Sequence, residues 1–562
     1  MLRPVYELLA RDLKAAGVDH AFGLMSDDTA LFVTSLDACG VVFHAARHEN
    51  LAIAMAEGYA AATGRTGVAV IGRGPAMANS LHGATYAWKT GSPVLLVYGA
   101  TPMAVPATGF KAVDVKAFNS TGVLDAIGIP WLRCEDPQAA RDTLQRALHQ
   151  AINGCTVLLL PGDVQTASLD EDSSHHAVLL TPPARPAARQ AAVTSAAKLL
   201  NVAKRPLFVV GQGAYQAGAR KAIEDLADKT GAVIATSLKA KDMFRGHDFH
   251  VGILGSFSHS VGRRCFEHAD VIVAFGASMN QRTTSYGTSL PTDVPLIHID
   301  HQAAHIGRWY QADVSLVGDA HVVAEQLLQA CADKTEADKP FRSAEVRDMV
   351  RNFQHTQDFQ AVRTHRTMDP RELALLLNEL LPSDRNAVYD AGNFYQIVPY
   401  IDVQSPGHLK NTADFASIGI SIGAALGFAV GTPDRCTVLF VGDGGLLMTL
   451  GELETLAREG LPMVVVVMND AAYGAELHYL QMRNMPVCQA VFADIDFAPI
   501  AEALGFEAFT VRNLDELRAL APILSVPTGP VLIDCKINAS VMAPFLLESA
   551  SHVQIKSATN RS

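Results

Sequence analysis

The chain has 562 residues, of which 49% are hydrophobic and 18% are charged, and its formal net charge is −12. This length and composition predict a globular protein of about three or four domains, and the acidic balance argues against general binding to nucleic acid or acidic membranes. The eight cysteines occur singly, and no apolar run of about 18 residues is present, so the sequence predicts neither a zinc site, a disulfide framework nor a membrane span.

The first block, residues 1–170, alternates helical and strand patterns. Apolar residues at helical spacing predict a helix over 5–13, and an Ala-rich run predicts another over 50–62. The continuous apolar runs at 66–72 and 92–99 are typical of strands buried on both faces. This alternation predicts an α/β domain with a parallel sheet.

A polar, Pro-rich stretch at 171–190 predicts a linker to a second α/β block, residues 190–333. The G-Q-G at 211–213 in that block lacks the full dinucleotide-binding pattern and is only a weak signal for a nucleotide. A charged, helical stretch at 333–365 predicts a second linker before a third block, residues 366–545. The polar tail that follows is predicted to be frayed or to form a mobile lid.

The third block contains the most informative stretch, V-L-F-V-G-D-G-G at 438–445. It predicts a buried strand and a Gly-rich turn whose N–H groups face an anion at a helix N-terminus. One amphipathic helix is predicted next, and then a second strand, 463–468, which ends at Asn469 and Asp470. Asp443 and Asp470 are hard oxygen ligands that suit Mg²⁺ bound to phosphates. The alternative is an ordinary βαβ unit with Asp443 in a turn and Asp470 capping a helix.

Two motifs in different blocks resemble those of thiamine diphosphate (ThDP) enzymes. Asn469-Asp470 begins 26 positions after Asp443, and this spacing is similar to the family's diphosphate-binding motif. The segment R-H-E-N-L-A-I-A-M-A-E-G-Y-A-A-A-T-G-R-T-G-V-A-V, continued by G-P-A-M-A-N, is similar to the pyrimidine-binding domain of acetolactate synthase-like members. The resemblance implies an α/β fold of three consecutive doubly wound parallel-sheet domains: pyrimidine-binding, central Rossmann-like and diphosphate-binding.

The resemblance changes the interpretation of Glu49. Taken alone, an acid in the first turn of a helix is most simply a solvated residue that the helix macrodipole favours. In the resembling family, the Glu of this motif hydrogen-bonds N1′ of the cofactor's aminopyrimidine and stabilises the 4′-imino form that deprotonates thiazolium C2. We therefore interpret Glu49 as the catalytic residue and as a cofactor contact.

The resemblance also implies the residues that hold the cofactor. Ile418 takes the place of a large apolar residue that keeps the cofactor bent between its two rings, and core packing is its alternative interpretation. Asp443, Asp470 and the Ala472 carbonyl are expected to bind Mg²⁺. The other expected ThDP contacts are Gly392, Asn393, Phe394, Ser417, Gly442, Gly444, Gly445, Tyr473 and Gly474.

The expected substrate pocket departs from the acetolactate synthase pattern. Met25 stands where benzaldehyde lyase-like enzymes have a loop His, and Phe118-Asn119 stands where Phe-Gln is expected. Arg73 replaces a small residue; it points to solvent, pairs with an acid, or binds a substrate carboxylate through its planar fork. In the central block, Ser278 replaces an Arg that is usual where FAD binds, which leaves FAD uncertain.

We therefore expect a ThDP- and Mg²⁺-dependent carboligase or lyase that makes or breaks a C–C bond next to the carbonyl of a 2-oxo acid or acyloin. A 2-oxo acid decarboxylase and an FAD-linked oxidase of the same fold are alternatives, and a catalytically silent binding protein is another. The expected partners are a 2-oxo acid, an aldehyde or an acyloin, and neither nucleic acid nor a membrane. Family members place the cofactor between subunits, which implies a homodimer or a dimer of dimers. Charges near the N-terminus argue against a signal peptide, so we expect a cytoplasmic protein.

Overall fold

The computed structural model describes residues 1–103, 114–171 and 185–559, and it contains three six-stranded parallel sheets flanked by helices. This confirms the predicted fold class of three consecutive doubly wound α/β domains. Within the described ranges, no helix is both long and apolar enough to cross a membrane.

The first domain contains a parallel sheet with the strand order β3-β2-β4-β5-β7-β6 and a small antiparallel pair, β1-β8. Its strands are β1 (Leu2–Pro4), β2 (His20–Gly23), β3 (Val42–Ala45), β4 (Gly67–Ile71), β5 (Val94–Ala100), β6 (Trp131–Arg133), β7 (Thr156–Pro161) and β8 (Ser168–Asp170). Its helices are α1 (Val5–Ala15), α2 (Ala30–Ala38), α3 (Glu49–Thr63), α4 (Pro75–Thr90), α5 (Ser120–Ile127), α6 (Ala140–Ala151) and α7 (Gly162–Thr166).

The central domain has the strand order β11-β10-β9-β12-β13-β14. Its strands are β9 (Pro206–Val210), β10 (Val233–Thr236), β11 (His250–Ile253), β12 (Val271–Phe275), β13 (Leu296–Asp300) and β14 (Val314–Val317). Its helices are α8 (Gln190–Val202), α9 (Gln212–Gln216), α10 (Arg220–Thr230), α11 (Ser260–Phe266) and α12 (Ala320–Ala330); α13 (Ala344–Asn352) lies in the predicted second linker. The predicted first linker lies partly outside the described residues.

The third domain has the strand order β16-β15-β17-β18-β20-β19. Its strands are β15 (Arg385–Tyr389), β16 (Leu409–Asn411), β17 (Cys436–Gly442), β18 (Met463–Asn469), β19 (Glu507–Val511) and β20 (Pro530–Lys536). Its helices are α14 (Pro370–Leu380), α15 (Ser421–Gly431), α16 (Asp443–Met448), α17 (Glu452–Glu459), α18 (Gly474–Gln481), α19 (Ala498–Ala503), α20 (Leu514–Ala519), α21 (Ala521–Leu524) and α22 (Pro544–Thr559).

The parallel sheets of the first and third domains have the same strand order when the six strands of each sheet are numbered along the chain. Helix α3, between β3 and β4, therefore corresponds to α15, between β16 and β17. These two helices pack against each other, and one hydrophobic core of buried residues runs from the first sheet through both helices into the third sheet. The two domains are thus joined through equivalent elements.

Glycines make the approach of α3 to α15 possible. A Cβ at Gly58 would overlap the Ala424 carbonyl, and one at Gly427 would overlap the Met55 carbonyl. A Cβ at Gly423 would lie 2.6 Å from the carbonyl oxygen of Leu51. Backbone packs directly on backbone here, so a larger residue at these positions has to push the helices apart.

Two local predictions were wrong. The single amphipathic helix expected after β17 is divided into α16 and α17, because Thr449 turns the chain and its hydroxyl donates to the carbonyls of Gly419 (3.3 Å) and Gly445 (3.2 Å). The tail expected to be frayed forms α22, and Glu548 of this helix accepts hydrogen bonds from Ser256 and Ser285 of the central domain. Both outcomes depend on contacts with distant segments.

We expect Gly427→Ala to destabilise the protein, because the new methyl group has no space between α15 and α3. Overpacking of this kind costs about 1–3 kcal/mol. The measurement is the urea midpoint of unfolding, followed by circular dichroism. Gly451→Ala is the matched control, because Gly451 has an ordinary φ of −60° and a Cβ there meets no atom within 4 Å. A midpoint for Gly427→Ala as high as that of the control would contradict the prediction.

Candidate functional site

Two acids meet at the carboxyl edge of the third sheet, where β17 and β18 end. Asp443 is the first residue of α16, and Asp470 directly follows β18. Asp443 is 2% exposed; its Oδ1 accepts the Gly444 N–H at 2.9 Å, and its buried Oδ2 has no hydrogen-bond partner among the described residues. An unsatisfied carboxylate oxygen in a buried position indicates a missing partner.

The pKa values of the two acids also indicate a missing partner. Burial, and then the neighbouring charge of Asp470, raise the pKa of Asp443 to about 8. Burial raises the pKa of Asp470 to about 7. Two carboxyl groups that disfavour each other's ionisation suit a shared divalent cation, which stabilises both charges. No third acid, imidazole or thiol joins them within the described ranges, so a cation there needs further oxygen ligands.

Asn469 fixes the end of β18. Its amide donates to the Ile495 carbonyl at 3.0 Å and to Oδ1 of Asp534 at 2.9 Å, and its oxygen accepts the Ala471 N–H at 3.2 Å. Ala471 has a left-handed φ of 55°, which bends the chain sharply after Asp470. Asn469 is therefore occupied within the protein, and Asp470 is the member of the pair that approaches Asp443.

The glycines of this edge allow side chains to approach the backbone closely. A Cβ at Gly444 would lie 2.7 Å from the ring of Tyr473, and a Cβ at Gly474 would lie 2.6 Å from Oδ2 of Asp470. Gly442, at the end of β17, lies beside the ring of buried Phe394. These contacts bring together the Gly-rich turn, the aromatic residue that follows β18 and the acid pair.

Asp390 is a residue that the sequence analysis missed. It follows β15 and is fully buried; its Oδ2 accepts the Gly419 N–H at 2.6 Å, and its Oδ1 accepts the Thr412 hydroxyl at 3.1 Å. A Cβ at Gly445 would lie 2.5 Å from Oδ2 of Asp390. Burial raises the pKa of Asp390 to about 7. Asp390 thus holds the segment before α15 against the Gly-rich turn. The sequence signal that could have identified it is its position directly after a strand.

The segment after β15 is placed at the same edge. Gly392 has a φ of 152°, which favours glycine. The side chain of Asn393 binds the segment before α22: it donates to the Val541 carbonyl and accepts the Ala543 N–H, both at 2.8 Å. The side chain of Asn393 is therefore engaged inside the protein. If Asn393 contacts a ligand, it does so through its backbone.

Ile418 lies just before α15 and is half-buried. Within the described ranges it belongs to none of the hydrophobic core clusters, whereas Ile420 and Ile422, two and four positions on, belong to the core that joins the two domains. Core packing therefore does not account for Ile418. The adjacent Ser417 is buried, and its hydroxyl contacts Nε2 of His82 on α4.

The other predicted site residue, Glu49, begins α3 in the first domain. His48 caps this helix, because its Nδ1 accepts the Asn50 N–H at 3.1 Å. The Glu49 side chain is 8% exposed, and its Oε2 accepts a hydrogen bond from Nδ2 of Asn79 at 2.6 Å. Glu49 is therefore a nearly buried acid held at a defined position.

A cavity of about 660 Å³ opens at Glu49. It is lined by Ser26, Glu49, Arg73, Pro75, Ala76, Ala78, Asn79 and Lys116, all from the first domain. Asp443 and Asp470, at the edge of the third sheet, do not contribute to its lining. Within one chain, the acid pair and the Glu49 cavity are thus separate half-sites.

The two cations of the cavity are already paired with acids. Nη1 of Arg73 contacts both carboxylate oxygens of Asp114 at 2.8 Å, and this hydrogen bonding lowers the pKa of Asp114. Lys116 pairs with Asp27 and lies 3.5 Å from Asp28. The structure therefore gives Arg73 an acidic partner, which was one of its predicted roles, and a substrate carboxylate would have to compete with Asp114.

The remaining predicted substrate residues do not line this cavity. Met25 is 55% exposed. Phe118 packs against the core that joins the domains, and the side chain of Asn119 caps α5 by accepting the Gly122 N–H at 3.1 Å. Lys116, Ser26 and Asn79 line the cavity instead, although the sequence analysis did not select them.

Contacts within the protein engage part of the carboxyl edge of the central sheet. In open α/β sheets a dinucleotide binds between neighbouring strands whose connections run in opposite directions, which here are β9 and β12. There the Gly213 N–H donates to the Gly276 carbonyl at 3.1 Å. Arg282, a cation in the loop after β12, donates to the Phe545 carbonyl at 3.0 Å and lies over its ring, while Ser278 carries no charge. Arg282 is thus engaged within the chain, and the position of Ser278 supplies no cation to this edge.

Family models match all three domains. Residues 3–117 match the thiamine pyrophosphate enzyme, N-terminal TPP binding domain; residues 193–327 match the central domain; and residues 390–535 match the C-terminal TPP binding domain. Together these matches cover most of the chain and lie in the order expected for the family.

Curated relatives align over nearly the whole chain at low identity. A probable acetolactate synthase large subunit of Methanococcus aeolicus is 25% identical, with 95% of this chain and 92% of the relative covered. The acetolactate synthase large subunit of Corynebacterium glutamicum is 28% identical, with 94% and 85% covered. A sulfoacetaldehyde acetyltransferase of Roseovarius nubinhibens is 27% identical, with 96% and 93% covered.

Proposed function

The chain belongs to the thiamine pyrophosphate enzymes and is an acetolactate synthase-like carboligase or lyase, and from this premise we propose its metal, its assembly and its substrate class. The observation that carries the proposal is the pair of acids, buried Asp443 and half-buried Asp470, with raised pKa values beside a Gly-rich turn. Mg²⁺ held there by Asp443, Asp470 and the Ala472 carbonyl would bind the cofactor's diphosphate.

The remaining cofactor contacts follow from the placement of the third-domain residues. The N–H groups of the Gly-rich turn would hold the diphosphate, and Ile418, which lies outside the core clusters of the described residues, would support the cofactor's rings. The full set that we assign to ThDP in this domain is Gly392, Asn393, Phe394, Ser417, Ile418, Gly442, Gly444, Gly445, Tyr473 and Gly474. When bound, ThDP supplies a nucleophilic thiazolium carbon that adds to a substrate carbonyl.

Glu49 moves a proton at the other end of the cofactor. Its carboxyl group, whose Oε2 accepts a hydrogen bond from Asn79, would share a proton with N1′ of a bound aminopyrimidine. The N-terminal position on α3 holds the carboxyl group at the cavity wall, with most of the side chain buried. The cavity in front of it receives the substrate.

We propose that the working unit is a homodimer, or a dimer of dimers, with each active site shared by two subunits. The support is that Glu49 and the Asp443–Asp470 pair form separate half-sites within one chain. Large apolar side chains are also exposed near both half-sites, namely Met25, Leu31, Phe415, Leu447, Met448 and Tyr473. A second copy would cover this apolar surface and complete both sites.

The substrate that we propose is a 2-oxo acid, with an aldehyde or a second 2-oxo acid as acceptor, or an acyloin in the direction of cleavage. Two relatives are named for acetolactate and one for sulfoacetaldehyde, an anionic aldehyde. Arg73 in the cavity is the residue we assign to the anionic group, in competition with Asp114. Met25, Phe118 and Asn119 do not line this cavity. We therefore assign them at most to the outer part of the substrate site.

We also propose that the protein works without FAD and in the cytoplasm. Arg282 at the central edge is engaged by α22, and Ser278 stands where a cation is usual for FAD, which disfavours an FAD-linked oxidase. All eight cysteines are free, as a reducing compartment maintains them. An absorbance spectrum of the purified protein with flavin bands would contradict the first proposal.

The overall test is to saturate the protein with ThDP and Mg²⁺ and to offer 2-oxo acids, each alone and with aldehydes. Mass spectrometry identifies the products. We expect a product that contains carbon from both substrates, or cleavage of an acyloin. Release of CO₂ and a free aldehyde alone would establish simple decarboxylation instead, and no turnover of any pair would contradict the proposed substrate class.

Glu49→Gln should bind ThDP with nearly wild-type affinity but lose turnover. The amide fills the same volume but cannot share a proton with N1′, and general acid–base precedent gives a loss on the order of 10²–10⁴-fold. Exchange of the thiazolium C2 proton, followed by NMR, measures the defect directly. Glu7→Gln on α1 is the matched control, since that acid lies outside the cavity lining. Wild-type exchange in Glu49→Gln would refute the assigned role.

Asp443→Ala should abolish Mg²⁺-dependent ThDP binding, because it removes the buried carboxylate on which the metal site depends. Asp470→Asn should retain binding, since an amide oxygen is also a hard ligand and the repulsion between the two acids is removed. Calorimetric titration of ThDP at fixed Mg²⁺ separates the two outcomes. Unchanged affinity in Asp443→Ala, or loss of binding in Asp470→Asn, would count against the metal assignment.

Asp114→Asn should lower KM for acidic substrates and leave KM for neutral aldehydes unchanged, because it removes the competitor for Arg73. Arg73→Lys should raise KM for the same acids by about 10-fold, since an ammonium group cannot reproduce the planar fork. Steady-state kinetics on matched acidic and neutral substrates provides the comparison. Equal changes for both substrate types would show that Arg73 has no role in recognising the acid.

A further inference from the structure

The carboxyl group of Glu49 receives one side-chain hydrogen bond within the described residues, and it comes from Asn79. The bond joins Nδ2 of Asn79 to Oε2 of Glu49 at 2.6 Å. Asn79 lies on α4, is exposed at the mouth of the cavity and contributes to the cavity lining. Asn is also a weak helix former, so helix stability does not explain its presence in the second turn of α4.

The packing of α4 on α3 sets this contact. Gly83, one helical turn after Asn79 and on the same face of α4, lies against the start of α3. A Cβ at Gly83 would be 2.6 Å from the Asn50 carbonyl, and the Gly83 N–H donates to Oδ1 of Asn50 at 2.8 Å. The close approach at Gly83 therefore places Asn79 in front of Glu49.

The chemistry of the amide group determines which atom donates this hydrogen bond and which atom accepts it. An amide N–H only donates, so it occupies Oε2 as an acceptor and leaves Oε1 as the oxygen that can carry the exchanged proton. A donor also stabilises the carboxylate form, which Glu49 takes each time its proton moves to the cofactor. A carboxyl group without this contact could rotate and present either oxygen.

We propose that Asn79 is a positioning residue that fixes Oε2 of Glu49 and so directs proton transfer to the cofactor's aminopyrimidine through Oε1. This inference rests on the proposed function, because it requires a ThDP enzyme with Glu49 as its proton carrier. Asn79 itself transfers no proton.

The experiment uses the full chain reconstituted with ThDP and Mg²⁺, as wild type, Asn79→Leu, Asn79→Asp and the control Thr85→Val. Leu removes the donor at similar volume, and Asp keeps the shape of Asn but replaces the donor with an acceptor. Thr85 lies on the same helix, and its hydroxyl bonds only to the Leu81 carbonyl. Three quantities are measured: the ThDP dissociation constant by calorimetry, the C2 proton exchange rate by NMR and the thermal midpoint of the apo-protein.

We expect both Asn79 variants to exchange the C2 proton at least about 10-fold more slowly than wild type, in line with the loss of a charge-assisted hydrogen bond. Asn79→Asp should exchange the C2 proton more slowly than Asn79→Leu, because the new carboxylate repels that of Glu49. The ThDP dissociation constant should stay within about 3-fold, and the thermal midpoints should match that of Thr85→Val.

Exchange at the wild-type rate in both variants would overturn the inference. A loss of ThDP affinity or thermal stability in proportion to the loss of exchange would also overturn it, because Asn79 would then be a structural residue. Failure of the wild type itself to bind ThDP would instead contradict the proposed function. The two failures are therefore distinguishable.

Discussion

The close approach of α3 and α15 is the constraint on which both half-sites depend. Glycines at positions 58, 423 and 427 let the two helices meet backbone to backbone, and one hydrophobic core surrounds the contact. Glu49 is the first residue of α3, and Ile418 lies three residues before the start of α15. Because each functional residue lies at the N-terminal end of a helix that cannot slide along its neighbour, the helix contact fixes the position of both.

Buried acids in this protein fall into two classes, which their partners distinguish. Glu57, fully buried on α3, contacts Lys410 and accepts hydrogen bonds from Tyr86 at 2.9 Å and Ser92 at 2.6 Å, so its charge is balanced within the protein. Within the part of the chain that the structure describes, Asp443 has one oxygen without a hydrogen-bond partner, and the neighbouring charge that raises its pKa is that of another acid. A buried ion pair with complete hydrogen bonding supports the fold, whereas an uncompensated pair of carboxylates indicates a site that awaits a ligand.

Local signals in the sequence were sufficient for the fold class, for some of the strands and for the positions of Glu49 and the Gly-rich turn. Apolar runs and glycines report directly on buried strands and tight turns, and two motifs resembled a known family. The sequence did not reveal Asp390 as a support, the pairing of Arg73 with Asp114, or the contact of Asn79 with Glu49. Each of these joins segments that only the tertiary packing brings together. The end of the predicted helix at Thr449 has in part the same origin, because the distant Gly419 carbonyl accepts a hydrogen bond from the Thr449 hydroxyl.

The contact between α3 and α15 also has a consequence for the order of folding. The two helices belong to the first and third domains and are separated in sequence by the whole central domain. Contacts between such distant segments carry a high cost in loop-closure entropy and form late. During synthesis, α3 must remain exposed with its small, apolar face until the ribosome has produced the third domain. The half-built protein is therefore the form most exposed to aggregation, and its last folding step is also the step that aligns α3 with α15.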